Sequence, residues 1–309
     1  MTSISASMVK QLRDKTGAGM MDCKTALTEN DGDMEAAVDW LRTKGLAKAA
    51  KKAGRLASEG LIGLATDGAQ GALVEINSET DFVARNEQFQ EAVGKIAELG
   101  LSAGGDLGKL AAMKYPGGEA TVEDQINELI ATIGENMSLR RTAQLGVNKG
   151  VVASYLHNSV APGLGKIGVL VALESEGDEQ ALAAFGKQLA MHIAATSPLA
   201  VGSDELDADV VERERAILTE QAKESGKPDE VIQKMVEGRL RKYFEEVVLL
   251  NQTFVIDGES KVEQAVKAAE SDVGAPIRIA AFHRIALGEG LDKKEEDFAA
   301  EVAAAASSG

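Results

Sequence analysis

The sequence predicts a multidomain α+β chain: two related small antiparallel sheets, each covered by helices, behind an all-helical opening module. Three observations predict it. First, the chain contains an internal repeat. Residues 60–66 (Gly-Leu-Ile-Gly-Leu-Ala-Thr) and a turn lead into Gly71-Ala-Leu-Val-Glu-Ile-Asn77 and then a helix. Residues 150–156 (Gly-Val-Val-Ala-Ser-Tyr-Leu) and a turn lead into Gly168-Val-Leu-Val-Ala-Leu-Glu174 and then a helix from about Glu179 to Ala195. Second, the opening 55 residues show helical spacing and no strand alternation. Third, the composition is 44% hydrophobic but only 4% aromatic, so alanine and short aliphatics supply the core. Such cores suit helices laid on small sheets. At 309 residues the chain is long enough for two or three domains.

The opening module is read from its caps. Ser5 starts a first helix with Met8, Val9 and Leu12 on one face. Thr16-Gly-Ala-Gly19 ends it, and Met20 to Glu29 forms a second helix. Asn30-Asp-Gly-Asp33 is a turn, and Asp33 caps a third helix with Ala37, Val38 and Leu41 inward and Trp40 in the core or at its rim. Three helices in some 45 residues bury little, so the module is expected to dock on another surface. Met20 and Met21 beside the glycine turn are either buried or an adaptable contact. Ala47 to Ala53 reads as a basic, alanine-rich helical linker, solvated by default.

A lone hairpin is unstable, so each repeat copy needs another strand and a covering helix. In the first copy, Thr121-Val-Glu-Asp124 opens a helix through Ile126, Leu129, Ile130 and Ile133. Met137 to Leu145 then supplies the third strand, with Arg141 outward. In the second copy the return comes late: Phe254-Val-Ile256, a helix over Val262, Ala265, Val266 and Ala269, and a strand from Ile277 to Ile285. Between them lies an insertion. Asp209 to Ser225 is helical, Gly226-Lys-Pro228 breaks it, and a second helix carries Val231, Ile232, Met235, Val236, Leu240 and Tyr243. This is a projecting αα-hairpin whose apolar surface needs a cover, within the chain or in another molecule. The chain ends with the hinge Gly288-Glu-Gly290 and an acidic helix over Leu291 to Ala306 carrying Phe298 and Val302. The expected division is an opening module with its linker at 1–55 and a first subdomain at 56–146. A second subdomain follows at 147–199 and 245–287, with the inserted hairpin at 200–244 and a terminal module at 288–309.

The most informative stretch is Asn77 to Asn86, a strand-to-helix turn that sets the acid Asp81 directly before the aromatic Phe82. Only seven phenylalanines occur in the chain, so one in a polar turn needs a reason. Thr80 or Asp81 capping the turn, with Phe82 folded back as a staple, is one reading. The other is a projecting tip.

Chemistry-bearing motifs are scarce. A single cysteine, Cys23, excludes an internal disulfide and a multi-cysteine zinc site. There is no Gly-x-Ser-x-Gly elbow and no Gly-x-x-x-x-Gly-Lys-Ser/Thr phosphate loop. Of three histidines, His192 and His283 read as structural, while His157 sits at a hairpin tip. Net charge is −16, unevenly placed: residues 1–56 hold ten Lys/Arg against seven Asp/Glu, and the rest is acidic. An acidic body argues against direct nucleic-acid binding, which rests on phosphate neutralisation. The sequence shows no membrane-length apolar run and no signal peptide, so a cytoplasmic, non-membrane protein is expected.

The opening Thr16-Gly-Ala-Gly-Met-Met-Asp-Cys-Lys24, the later Lys48-Ala-Ala-Lys-Lys-Ala-Gly54 and the turn Thr80-Asp-Phe-Val83 together resemble the bacterial elongation factor Ts family, in order and in spacing. The resemblance implies a first module similar to a ubiquitin-associated three-helix domain. It implies a guanine-nucleotide exchange factor, not an enzyme, that binds elongation factor Tu in its GDP-bound and nucleotide-free forms and needs no cofactor or metal. Thr80, Asp81, Phe82 and Val83 would be the motif that disturbs the partner's Mg²⁺ site. Arg13, Met20, Met21, Ile133, Gly134, His157 and Phe298 would be partner-binding. Ile133-Gly134 matches the family's Ile-Gly-Glu-Asn segment, and His157 follows Tyr155 as the family's histidine does, although the loop 158–165 is longer than is common. The 200–244 hairpin would serve a homodimer or a partner contact. Two rivals carry different expectations. One is a docking scaffold without exchange activity. The other is a hydrolase using Asp81 and His157, which lacks a visible third member.

Overall fold

Short apolar periodicities between capping side chains set the first elements. The computed structural model describes residues 4–16 and 18–291. Helices α1 (Ala6–Thr16), α2 (Met20–Glu29) and α3 (Met34–Lys52) open the chain. Ser5 Oγ accepts the Met8 N–H at 3.2 Å, and Asp33 Oδ1 accepts those of Glu35 and Ala36 at 2.9 Å. Strands β1 (Glu59–Thr66) and β2 (Gln70–Ser78) form the first hairpin. After them come α4 (Glu87–Gly100), α5 (Leu107–Ala112), α6 (Val122–Ile133) and β3 (Met137–Gly146). The second copy contains β4 (Gly150–His157), a short β5 (Leu164–Gly165), β6 (Ile167–Glu174) and α7 (Glu179–Thr196). The hairpin α8 (Ala208–Lys223) and α9 (Asp229–Val247) precedes α10 (Val262–Val273) and β7 (Arg278–Ala286). The expected tail helix, with Phe298 and Val302, lies outside the described residues.

The α+β class holds, with two antiparallel sheets in strand orders β3-β2-β1-β5 and β4-β6-β7. Beyond that expectation, the sheets stack face to face. Ile62, Leu73 and Ala143 of the first meet Val152, Leu170, Ala172 and Ile285 of the second. Helices α4, α5 and α6 cover the outer face of the first sheet, and α7 and α10 that of the second. Both faces of β2 and β6 are therefore covered, which is why those runs are nearly continuously apolar and not alternating.

The repeat becomes a packing symmetry. Gly71 and Gly168 occupy equivalent places in the two copies. A Cβ on Gly71 would stand 2.6 Å from Leu170 Cδ2, and one on Gly168 would stand 2.6 Å from Leu73 Cδ2. Each copy's leucine thus fills the space over the other copy's glycine. Each copy also bulges at the same place, between Glu75 and Ile76 and between Ala172 and Leu173. The copies differ in what the bulge carries. Glu75 is completely buried and binds Arg140 and Arg141, while its counterpart is Ala172. Arg141 therefore does not point out to solvent. Arg140 is the extra residue of the bulge, and both guanidinium groups reach the carboxylate.

Two further elements tie the outer layers together. The Ala47 to Ala53 stretch is helical and largely exposed, as expected, but it is the continuous end and cap of α3 and not a separate linker. Ala49 is buried in the core beneath α4 and α6, Arg42 pairs with Asp124 of α6 at 3.0 Å, and Lys52 Nζ donates to Gly134 O. Small side chains let α3 lie close along α6, which gives the opening module the docking surface it needs. Phe254-Val-Ile256 forms a turn: Phe254 packs on Phe185 and His192, while Val255 and Ile256 are exposed. Buried His192 pins that turn to α7. Its Nδ1 accepts the Val255 N–H at 3.2 Å, and its Nε2 bonds Gln252 Oε1 at 2.9 Å. Burial holds its pKa below the usual histidine value, consistent with a neutral, structural ring.

The α8–α9 hairpin closes on its own seam, with Leu218 and Ala222 against Ile232, Val236 and Leu240. Ile217 and Val231 remain exposed. No helix among the described residues is long and apolar enough to cross a membrane.

Candidate functional site

The end of β2 and the start of α4 must be joined across a polar turn, and the chain does so with anchors on both sides. Upstream, Ser78 Oγ donates to Thr80 O at 3.0 Å. The Thr80 N–H donates to Glu135 Oε2 at 2.9 Å, and the Thr80 hydroxyl donates to Glu135 Oε1 at 2.6 Å. Downstream, Val83 and Ala84 are sunk into the core shared with Phe89. Between the anchors the backbone makes a single 3₁₀ turn, with Ala84 N–H bonded to Asp81 O and Arg85 N–H to Phe82 O. Asp81 is exposed, and Phe82 is 73% exposed.

The cap-and-staple reading of this turn does not hold. No side chain caps the 3₁₀ turn at Val83–Arg85, and Asn86 caps α4 by accepting the Gln88 and Phe89 N–H groups. The Thr80 side chain is committed to Glu135, and Val83 fills the core beneath the turn, so Phe82 projects into solvent.

Glu135 comes from the far end of α6. Gly134 takes a left-handed conformation (φ 93°) and closes that helix with an N–H to Ile130 O, which turns the chain towards the Thr80 turn. Around it, Glu79 Oε1 accepts the Asn136 N–H at 2.6 Å and lies 3.4 Å from an Arg55 nitrogen. Asn136 Nδ2 donates to Arg55 O at 2.7 Å. Thr80 to Val83 and Ile133-Gly134 are thus brought into one cluster. Ile133 is half-buried against the first core and Gly134 is exposed.

The remaining candidates lie elsewhere. His157 ends β4 and is exposed, its Nδ1 sharing a 3.1 Å hydrogen bond with Tyr155 Oη and not with Asp81. The long loop after it folds back on the first sheet: Leu164 and Gly165 pair with Gly63 and Ile62. Lys166 N–H bonds His157 O, and its Nζ reaches Gly60 O at 3.1 Å. The His157 tip therefore lies at the same end of the stacked sheets as the start of β1 and the end of β2. Arg13 is exposed on α1, and Met20 and Met21 are 57% and 73% exposed at the start of α2. The buried alternative for the two methionines does not hold. Phe298 lies outside the described residues.

Sequence reasoning missed Glu135, Glu79, Asn136 and Arg55 as supports of the turn. Ile-Gly-Glu-Asn was visible as a segment, but a carboxylate whose partner lies 55 residues away leaves no local signal. Chemically, the site presents an exposed acid and an exposed aromatic on a braced turn. Among the described residues no group of three or more His, Cys, Asp or Glu is placed to hold a metal.

Comparison with known proteins bears on this arrangement. The family model described as Elongation factor TS matches residues 79–289, from the site turn to the glycine hinge. Curated relatives match nearly end to end. The protein named Elongation factor Ts of Parvibaculum lavamentivorans is 65% identical over 306 residues, 99% of each chain. Those of Bartonella henselae and Rhodospirillum rubrum are each 61% identical, over 98% of this chain and 99% of theirs.

Proposed function

The chain belongs to the elongation factor Ts family, and from that premise we propose that it is a guanine-nucleotide exchange factor for elongation factor Tu. It binds the GDP-bound and nucleotide-free GTPase and promotes GDP release during translation elongation in the cytoplasm. No bond of a substrate is made or broken, so the protein is a binding catalyst of exchange and not an enzyme. Binding the nucleotide-free form more tightly than the GDP form is sufficient. By linkage, the factor weakens GDP binding by the same ratio that GDP weakens binding of the factor.

The observation that carries this reading is the exposed Asp81-Phe82 pair held between two anchored residues. A wedge displaces groups in a partner only if it does not itself yield. Phe82 would insert beside the nucleotide pocket, and Asp81 would disturb the carboxylate and water network around Mg²⁺, which otherwise ties phosphate to protein. The exposed Arg13, Met20 and Met21 would grip the partner through the opening module, with Phe298 doing so from the tail. Ile133, Gly134 and His157 would extend the footprint along one end of the stacked sheets. The α8–α9 hairpin, with Ile217 and Val231 open, would meet a second copy of the chain. Sedimentation equilibrium of the free protein tests that assignment: a dimer lost in Ile217→Asp supports it, and a monomer at all concentrations rejects it.

Stopped-flow release of fluorescent GDP from purified elongation factor Tu tests the main proposal. Release accelerating with added protein is the expected result. Complex formation without acceleration would instead select a docking scaffold.

A further inference from the structure

We propose that Glu135 is a positioning residue for the site turn, setting the aim of Asp81 and Phe82 without itself touching the partner's nucleotide site. The inference rests on the exchange reading above.

The geometry is specific. Thr80 is the residue immediately before the projecting pair, and both of its hydrogen-bond donors point at one carboxylate, N–H to Oε2 at 2.9 Å and O–H to Oε1 at 2.6 Å. Two parallel bonds to one planar group fix orientation as well as distance. A carboxylate suits this task because it has only acceptors to offer. Glutamine in the same place would keep one acceptor and turn an N–H₂ towards the other donor.

The carboxylate is itself held. Gly134 leaves α6 in the left-handed conformation, a step that a side chain at that residue would strain. The residue after Glu135, Asn136, is tied by its N–H to Glu79 and by its side chain to Arg55 O. Lys52, at the end of α3, donates to Gly134 O. One connected set of bonds therefore runs from the last turn of α3, through the end of α6, to the residue that precedes the wedge. Where the opening module is gripped by a partner, α3 carries that hold to the turn along a rigid path. Among the described residues, Thr80 to Val83 make no other side-chain hydrogen bond from across the fold: Glu79 before them binds the Asn136 N–H and Arg55, and Ser78 and Asn86 act within their own neighbourhood.

Two measurements on the full chain test the proposal. In the free protein, hydrogen exchange at Thr80 to Val83 is expected to be faster in Glu135→Gln and Glu135→Ala, with β2 and α4 protected as before. Unchanged exchange at the Thr80 amide would overturn the brace. In GDP release from the GTPase, Glu135→Gln is expected to lower the saturating rate about three- to tenfold, the scale of one ordinary net hydrogen bond. The half-saturating concentration and the melting temperature should stay close to wild type. A merely structural role would lower the melting temperature and raise the half-saturating concentration. Glu135→Gln added to Phe82→Ala should cost little more, because the brace acts through the wedge. An equal loss in both backgrounds, or no loss at all, would overturn the positioning role. Failure of the exchange reading is seen separately, as wild-type protein that does not accelerate release, and the brace is then judged on hydrogen exchange alone.

Discussion

Phe82→Ala is expected to slow stimulated GDP release by about ten- to a hundredfold at saturating factor, corresponding to the roughly 1.5–3 kcal/mol that a phenylalanine contributes when fully buried. The side chain is 73% exposed in the free protein, so its removal takes little packing from the fold. The melting temperature should therefore hold, and so should most of the affinity for the nucleotide-free GTPase, which the wider footprint supplies. Val83→Ala should behave in the opposite way. That side chain is 3% exposed and belongs to the core beneath the turn, so its truncation lowers stability first and release only through a loosened turn. The contrast between adjacent residues separates a wedge from its footing, and stopped-flow release beside thermal melting reads both.

The second large effect is on stability. Replacing Arg140 and Arg141 together with alanine is expected to cost about 3–5 kcal/mol of unfolding free energy at pH 7.5, because it strands a fully buried carboxylate without its partners. Glu75 faces the seam between the sheets, and Gly288 N–H and Asn77 Nδ2 also donate to its Oε1, at 2.8 and 3.1 Å. Burial by itself pushes the Glu75 carboxyl up. The bond from Gly288 N–H and those from Arg141 and Asn77 outweigh it, and its pKa lies below the usual carboxylate value. In wild type, then, this cluster stabilises the fold above the unfolded-state pKa of about 4.3, and the contribution is lost as the pH falls through the lower folded value. In the double variant burial prevails and the carboxyl titrates higher, so acidification relieves it. The stability gap between the two proteins should narrow from pH 7.5 to pH 5 in urea unfolding. A gap that widens on acidification would contradict the assignment. Because Gly288 is one of the donors, the start of the tail should also become more open to proteolysis.

Much of the fold was legible because the signals are local. Ser5, Asp33 and Thr121 cap the helices they were expected to start. The repeat at 60–77 and 150–174 gave both hairpins, and Gly226-Lys-Pro228 marked the break between α8 and α9. The stacking of the sheets was not legible. The apolar run in β2 says that both faces are covered but not by what. Short β5 escaped notice because two residues have no period and their pairing to β1 is made across subdomains. Arg141 looked outward because a charged side chain was assigned to solvent, whereas the second sheet covers its face and both Glu75 and Ala286 O accept from it. At the site the pattern repeats. An acid before a phenylalanine in a polar turn was visible as an anomaly, and its exposure follows from anchors that lie 55 residues away at Glu135. Long-range acceptors for local donors are what a single sequence conceals.

The measurement closest to the central claim is the affinity of elongation factor Tu for GDP at saturating concentrations of wild-type factor and of Phe82→Ala. If the braced turn is the working tip, wild type weakens GDP binding strongly, and Phe82→Ala, still bound, weakens it about ten- to a hundredfold less. Equal weakening by both proteins would contradict the account and move the coupling to the rest of the interface.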